Sequence, residues 1–414
     1  MFKRRDSQRK TKLTHKKRFG VLSLLTAVIA ASSILGNDTN WESVSNDFMQ
    51  EDRPYGPGDF RIRNDRLLSM KLTNPEVTTK PQEERSDPTK AEFTEQWMYS
   101  PGETANRRSV RILDGNLDGE IARRFEEPAQ RSDWWLAPDW STLYLATGWS
   151  DRTTEMPSGQ RYRPELTQLF KSTDQGREWE RLRWPEDQNI TFLHFLDAQR
   201  GYLIGWGPKI WRTTDGGEHW NELPVPEGAH NPEDPREQFD LVALGEDNVL
   251  RMAFYDHAAD ASRIHALPWG EDTSQQAFTI PGHTVMDIAA NTEGTVYVLS
   301  TQGTPYFSLP SEARNAPRPS VVWCWNGSTL QRLHEFPPEL KGYALYLTPS
   351  EGLLFDGIDE SSLLGNNVTA VSYDGGTSWQ VEDEGRSAQG GYYDTRTGTR
   401  WRVSGYSLYQ REIP

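Results

Sequence analysis

One short pattern, present three times, constrains this chain more than any other feature. Residues 172–179 read Ser-Thr-Asp-Gln-Gly-Arg-Glu-Trp, residues 213–220 read Thr-Thr-Asp-Gly-Gly-Glu-His-Trp, and residues 372–379 read Ser-Tyr-Asp-Gly-Gly-Thr-Ser-Trp. The shared form is Ser/Thr-x-Asp-x-Gly-x-x-Trp. It fixes Ser172, Asp174, Gly176 and Trp179, then Thr213, Asp215, Gly217 and Trp220, then Ser372, Asp374, Gly376 and Trp379. Each copy follows a short apolar strand pattern, such as Lys209-Ile210-Trp211-Arg212. The chemistry is that of a tight hairpin. The Asp accepts hydrogen bonds from the backbone just ahead of it, and the Gly takes positive φ without a Cβ clash. The Ser or Thr adds a hydroxyl bond, and the Trp packs its ring beneath the turn. None of these groups needs to react, so the pattern is read as structural and no catalytic residue is drawn from it.

Around the three turns runs a longer repeat. Apolar strand pairs recur at 134–136 with 142–145, 192–195 with 201–205, 241–244 with 249–252, 286–289 with 295–298, 344–347 with 353–355, and 391–393 with 400–403. Asp174 and Asp215 stand 41 residues apart, the length of a four-stranded unit. Asp215 and Asp374 stand 159 apart, three such units with an insert, visible as the Pro- and Ser-rich stretch Thr304 to Pro319. Trp325-Asn326-Gly327-Ser328 stands where a fourth, degenerate turn belongs. The 35% hydrophobic content is low, but 16 Trp, 15 Tyr and 15 Phe supply bulk that suits short strands. The single cysteine, Cys324, excludes an internal disulfide and a Cys-x-x-Cys metal site. The last unit has three strands before Pro414, so a fourth is expected from upstream, from 109–125 or from 93–99, closing a ring and hiding a sheet edge.

The turn resembles the Asp-box of bacterial neuraminidase repeats, over roughly residues 130 to 414. That family includes sialidases, Ycf48-type assembly factors, sortilin-like receptors and some glucanases. The resemblance implies an all-β fold, a β-propeller of six blades, or seven if residues 93–125 form their own, with each box on the outer hairpin of a blade. It implies the fold more strongly than a function.

Ahead of the repeats the chain changes character. Residues 1–18 hold nine Lys and Arg against Asp6 alone, a basic cytoplasmic segment. The uncharged run 19–35 is long enough for a short membrane span, so residues 19–36 are expected to be an apolar helix, acting as membrane anchor or signal peptide. Residues 37–92, with a Pro-, Glu- and Thr-rich middle, are expected to be a flexible tether, and 93–414 the propeller. The body then lies exported, on the periplasmic or extracellular face, anchored in the inner membrane by residues 19–35. Of the formal charge of −15, the part after residue 36 holds 36 basic and 59 acidic side chains, a net of about −23. Such a body repels nucleic acid and favours a partner protein with a basic surface.

Two candidate sites stand outside the boxes. Asp114-Gly115-Asn116-Leu117-Asp118-Gly119 matches the first half of a calcium loop, with oxygens offered by Asp114, Asn116, Asp118 and Glu120. The twelfth position, where a bidentate Glu belongs, is Phe125, so a polar Asp-Gly hairpin turn is the plainer reading. A sialidase requires three arginines on one carboxylate. Arg163, Arg212, Arg251, Arg263 and Arg332 are present, and Asp256 or the 356–360 acidic stretch offers carboxylates, but no spacing selects a set. The expectation is therefore a membrane-tethered, non-enzymatic propeller that binds a partner protein in an assembly, scaffold or immunity role. The alternatives are a sialidase-like glycoside hydrolase and a calcium-stiffened carbohydrate-binding propeller.

Overall fold

Short apolar runs punctuated by Asp-, Asn- and Gly-bearing turns fold here as antiparallel strands. The structure, a computed structural model, describes residues 42–45, 59–63, 66–73, 109–116, 121–128, 131–149, 154–155, 161–162, 166–183, 190–205, 207–229, 239–305, 318–361, 366–385, 388–404 and 407–413. The basic segment, the apolar run 19–35 and most of 37–92 lie outside them. No described helix is long and apolar enough to cross a membrane.

The strands form seven four-stranded sheets and one small hairpin, Thr154–Glu155 with Arg161–Tyr162. In chain order the sheets are blades 1 to 7, and the strands of each are lettered a to d. Blade 1 holds Asp59–Arg63, Arg66–Thr73, Ser109–Asn116 and Ile121–Pro128. Blade 2 holds Arg131–Leu136, Leu143–Trp149, Leu166–Ser172 and Glu180–Leu182. Blade 3 holds Ile190–Phe195, Gly201–Gly205, Lys209–Thr213 and Asn221–Leu223. Blade 4 holds Leu241–Leu244, Val249–Asp256, Ala261–Pro268 and Gln275–Pro281. Blade 5 holds His283–Ala290, Val296–Gln302, Ser320–Trp325 and Leu330–Glu335. Blade 6 holds Leu340–Leu347, Leu353–Asp359, Asn366–Ser372 and Gln380–Gly385. Blade 7 holds Ala388–Asp394, Thr399–Ser404 and Ser407–Glu412, and takes Glu42–Ser45 as its strand d.

Apolar clusters join each blade to the next. Leu68 and Ile112 of blade 1 pack on Trp134 and Leu145 of blade 2. Tyr144 and Leu169 pack on Phe195 and Trp211, Tyr202 and Ile210 on Met252 and Phe254, and Ile264 and Phe278 on Val285 and Val298. Leu299 and Phe336 meet Leu345 and Phe355, Leu354 and Val371 meet Tyr393 and Ile413, and strand 7a touches strand 1a. The ring is closed. Successive residues of one strand serve opposite neighbours: Leu143 and Leu145 face blade 1, Tyr144 and Ala146 face blade 3. That alternation is the period-two rule of a strand buried on both faces, and each such aliphatic side chain contributes about 1.5–3 kcal/mol. The a strands of neighbouring blades touch (2a with 3a, 4a with 5a, 5a with 6a), which places them around the axis and the d strands at the rim.

All six strand pairs read from the sequence are present, one per blade. A seventh blade comes from residues 59–128, where the sequence shows mostly a tether and a single hairpin. Blade 7 is completed by Glu42–Ser45, neither by 109–125, which forms strands c and d of blade 1, nor by 93–99, which lies outside the described residues. The propeller therefore begins at Glu42 and not at residue 93. The physical reason is ring closure: an unpaired strand Ser407–Glu412 would leave an open edge, and four residues suffice to cover it.

Candidate functional site

Strand direction sorts the connections onto two faces. Because the strands alternate, the a-to-b and c-to-d turns emerge on one face and the b-to-c and d-to-a connections on the other. The first face is built of tight turns. The second carries the long connections: 150–165, 183–189, 224–240, 303–319 and 360–365. Loops gathered on one rigid face are where binding residues concentrate.

The three repeated turns lie on the tight-turn face, each joining strand c to strand d, with matching bonds. Ser172 Oγ donates to Asp174 Oδ1 at 2.8 Å and accepts from the Gly176 amide at 2.8 Å. The Arg177 and Glu178 amides donate to Asp174 Oδ1. Thr213, Asp215, Gly217 and His219 repeat the arrangement, as do Ser372, Asp374, Gly376 and Ser378. Trp179, Trp220 and Trp379 each donate Nε1–H to the carbonyl of the turn glycine, at 2.9, 3.1 and 3.0 Å. Those glycines have φ of +83°, +90° and +91°, the left-handed region that a Cβ disfavours. The rings then fill the gaps to the preceding blades. The bonds favour the ionised acid. The Glu178 amide, with Ser172, holds Asp174 below the usual range. Partial burial opposes the effect at Asp215, but the His219 amide and ring hold it at about 2. The Ser378 hydroxyl and amide hold Asp374 at about 2. Asn326 does the same work in blade 5, accepting from the Ser328 and Thr329 amides beside Gly327.

The loop-bearing face shows a feature with no counterpart in the sequence pattern. Four of the axial strands carry a β-bulge at the same place, near their start. The register slips at Thr191 in strand 3a, Met286 in 5a, Tyr343 in 6a and Gln389 in 7a. A bulge inserts one residue and re-aims its side chain. Met286 and Tyr343 are exposed, at 37% and 47%, and Ile358, at the same end of strand 6b, at 38%. Gly342 makes the 6a bulge possible: a Cβ there would lie 2.3 Å from the Phe355 ring.

Two carboxylates brace the axial strands. Asp133 accepts from the Trp134 amide and, across the blade boundary, from the Leu193 amide at 2.8 Å. Asp287 occupies the same position in strand 5a, accepting from Ile288 and, at 2.7 Å, from Leu345 of strand 6a. Burial raises the Asp287 carboxyl to about 6, against the pull of those two amides. Between blades 6 and 7, buried Asp356 pairs with Arg400 at 2.8 Å and accepts from Thr369 Oγ1. Burial also lowers His194 to about 4, so it is neutral.

The arginines considered as a clamp do not converge. Arg212 pairs with Asp272, Arg251 with Asp247, Arg263 with Asp256 and Arg332 with Glu335, each within its own blade or the next. Arg163 lies outside the described residues. So do Asp118 and Glu120, while Asp114 and Asn116 stand in strand 1c, opposite Leu68 and Arg66 of strand 1b. Among the described residues, one cluster has metal-ligand spacing: Asp215, Glu218 and His219, on the second repeated turn, where His219 Nδ1 already bonds Asp215 at 2.7 Å.

No family model matches the chain, and no curated protein matches it. Solved structures match in fold. A polysaccharide lyase of the PL25 ulvan lyase family, bound to -[GlcA(1-4)Rha3S]-, is 9% identical, with 90% of this chain and 94% of that one covered and a TM-score of 0.51. The polysaccharide lyase Uly1 is 10% identical, with coverages of 87% and 90% and a TM-score of 0.51. A YCF48 structure with bound D1 peptide is 12% identical, with coverages of 68% and 96% and a TM-score of 0.36. At these identities the likeness is one of fold, the β-propeller.

Proposed function

We propose that the chain is a non-enzymatic, exported propeller, tethered by residues 19–35, whose loop-bearing face binds a partner protein. The observation that carries this reading is the pair of exposed side chains Met286 and Tyr343, each at a bulge near the start of adjacent axial strands 5a and 6a, with exposed Ile358 at the same end of strand 6b. An apolar centre with polar surroundings is the anatomy of a protein interface, and methionine suits a surface that must adapt to its partner. The charges around it are already satisfied: Lys341 pairs with Glu360 at 2.7 Å, and Arg263 with Asp256. A glycoside hydrolase of sialidase type needs arginines left open to a substrate carboxylate, and the four described candidates are each engaged by an acid. A body of about −23 also opposes an acidic polysaccharide and favours a basic partner.

The test compares the full chain with Met286→Glu and Tyr343→Ala variants by cross-linking and mass spectrometry in the host membrane. Loss of one specific partner from both variants, with no turnover of sialosides or acidic polysaccharides by any form, is expected. Turnover by the unaltered chain, or partner capture that both variants leave intact, contradicts the proposal.

A further inference from the structure

One carboxylate links the two bulges of the docking surface. Asp287 directly follows Met286 at the bulge of strand 5a, and it accepts from the amide of Leu345, two residues past Tyr343 at the bulge of strand 6a. The two strands are thus tied across the blade boundary where each has slipped its register. Other carboxylates in these blades have a cation beside them: Asp247 has Arg251, Asp256 has Arg263, Asp356 has Arg400 and Asp394 has Arg396. Among the described residues no ion pair engages Asp287, whose oxygens accept from the Ile288 and Leu345 amides. The elements packed against strand 5a supply no replacement. Strand 4a has no titratable side chain. Arg251 of strand 4b is held by Asp247, Tyr255 bonds Asp260, and Asp256 pairs with Arg263 of strand 4c, where His265 packs on Phe254. Strand 5b offers Tyr297, and His283 on strand 5a itself bonds Ser300 Oγ. On strand 6a, Lys341 pairs with Glu360, and Tyr343 and Tyr346 are uncharged. Burial, with the charges of Asp356 and Asp287 among the further causes, raises the Tyr346 hydroxyl.

An ionised carboxylate in that seam loses water and gains two amide bonds. Burial outweighs the amides, which is why the carboxyl stands at about 6. If the seam parts and water reaches both oxygens, the ordinary carboxylate value returns. The tied arrangement therefore holds its proton more firmly than a parted one. Its advantage is complete below the ordinary value and is lost as pH rises through about 6. Over that range the balance shifts toward the parted arrangement by up to about a hundredfold, a factor of ten for each pKa unit. Asp287 keeps partial exposure, so a proton reaches it without unfolding of the ring.

We propose that Asp287 is a proton-controlled latch on the docking surface: protonated, it keeps strands 5a and 6a tied and holds Met286 and Tyr343 in one arrangement, and ionised, it lets the seam part. Its consequence for binding, a partner held more tightly on the acid side, rests on the docking proposed above; the latch itself is read without a partner. The test is carbon-13 methyl NMR of the full chain, labelled at its seven methionines and titrated through the carboxylate and histidine range in zwitterionic detergent. Met286→Leu identifies the signal, and melting curves confirm that each variant folds. The Met286 methyl is expected to move with a midpoint near the Asp287 value of about 6, while buried Met252 of blade 4 stays in place. Asp287→Asn, neutral and of the same shape, abolishes the transition, and Asp133→Asn, at the matching position of blade 2, keeps it. Photo-cross-linking from position 286 then gives several-fold more adduct on the acid side of that midpoint than above it in the unaltered chain, and equal amounts in Asp287→Asn. An unmoved Met286 methyl in the unaltered chain overturns the proposal whether or not any variant folds. So does a transition that survives Asp287→Asn, which would assign it to His283 or another group. A methyl transition with no adduct at any pH supports the latch and counts against the docking.

Discussion

At the scale of single residues, the three turns are held by side chains bonding to their own backbone. Asp215 accepts from the His219 amide and the Thr213 hydroxyl, so Asp215→Ala should cost about 1–2 kcal/mol, measured by denaturant unfolding with no change in the loop-bearing face. Trp379→Ala empties the space between blades 5 and 6 beside Phe336 and Phe355 and should cost about 3–5 kcal/mol. These turns were legible in the sequence because their chemistry is local. Asp287 was not. It lies in an apolar strand, and its bond to Leu345 crosses 58 residues. Its carboxyl is raised to about 6, so the folded chain holds a proton that the unfolded chain, at the ordinary carboxylate value, has released. The stabilising contribution is present below about pH 4 and is lost as pH rises through 6. Against Asp287→Asn, the natural chain should therefore lose on the order of 2–3 kcal/mol between pH 4 and pH 7, read from unfolding curves across that range. A constant difference would mean that Asp287 stays ionised throughout.

At the scale of elements, the strands followed from short apolar runs ended by Gly, Asp and Asn, and all six recognised pairs are paired as expected. Two elements escaped for different reasons. A bulge adds one residue to a run without changing its composition: Val285-Met286-Asp287-Ile288 reads as plain strand, and the slipped register is visible only against Ser300 and Leu299. The closing strand Glu-Ser-Val-Ser has no amphipathic period at all; its place is set by the open edge it meets. Gly342 offers a check on the bulge. Gly342→Ala should push Tyr343 or Phe355 aside and destabilise by about 1–3 kcal/mol, and it should weaken partner binding more than Gly327→Ala, which strains a turn at φ +91° on the opposite face without touching the bulge.

At the scale of the whole molecule, stability depends on a closed ring, and closure rests on Glu42–Ser45 pairing with Ser407–Glu412. A chain starting at residue 37 should melt like the full chain, whereas one starting at residue 47 should melt lower and aggregate through the exposed strand. The proposed function rests on the asymmetry of the two faces: tight turns on one, long connections and bulged apolar side chains on the other. The most direct measurement is site-specific photo-cross-linking in the host membrane, with the reactive group at position 286 and, as reference, at position 381 on the outermost strand of blade 6. A discrete protein adduct from position 286 and none from position 381 is expected. Adducts from position 381 alone, or none from 286 in a chain that proves to cleave a glycan, would contradict it.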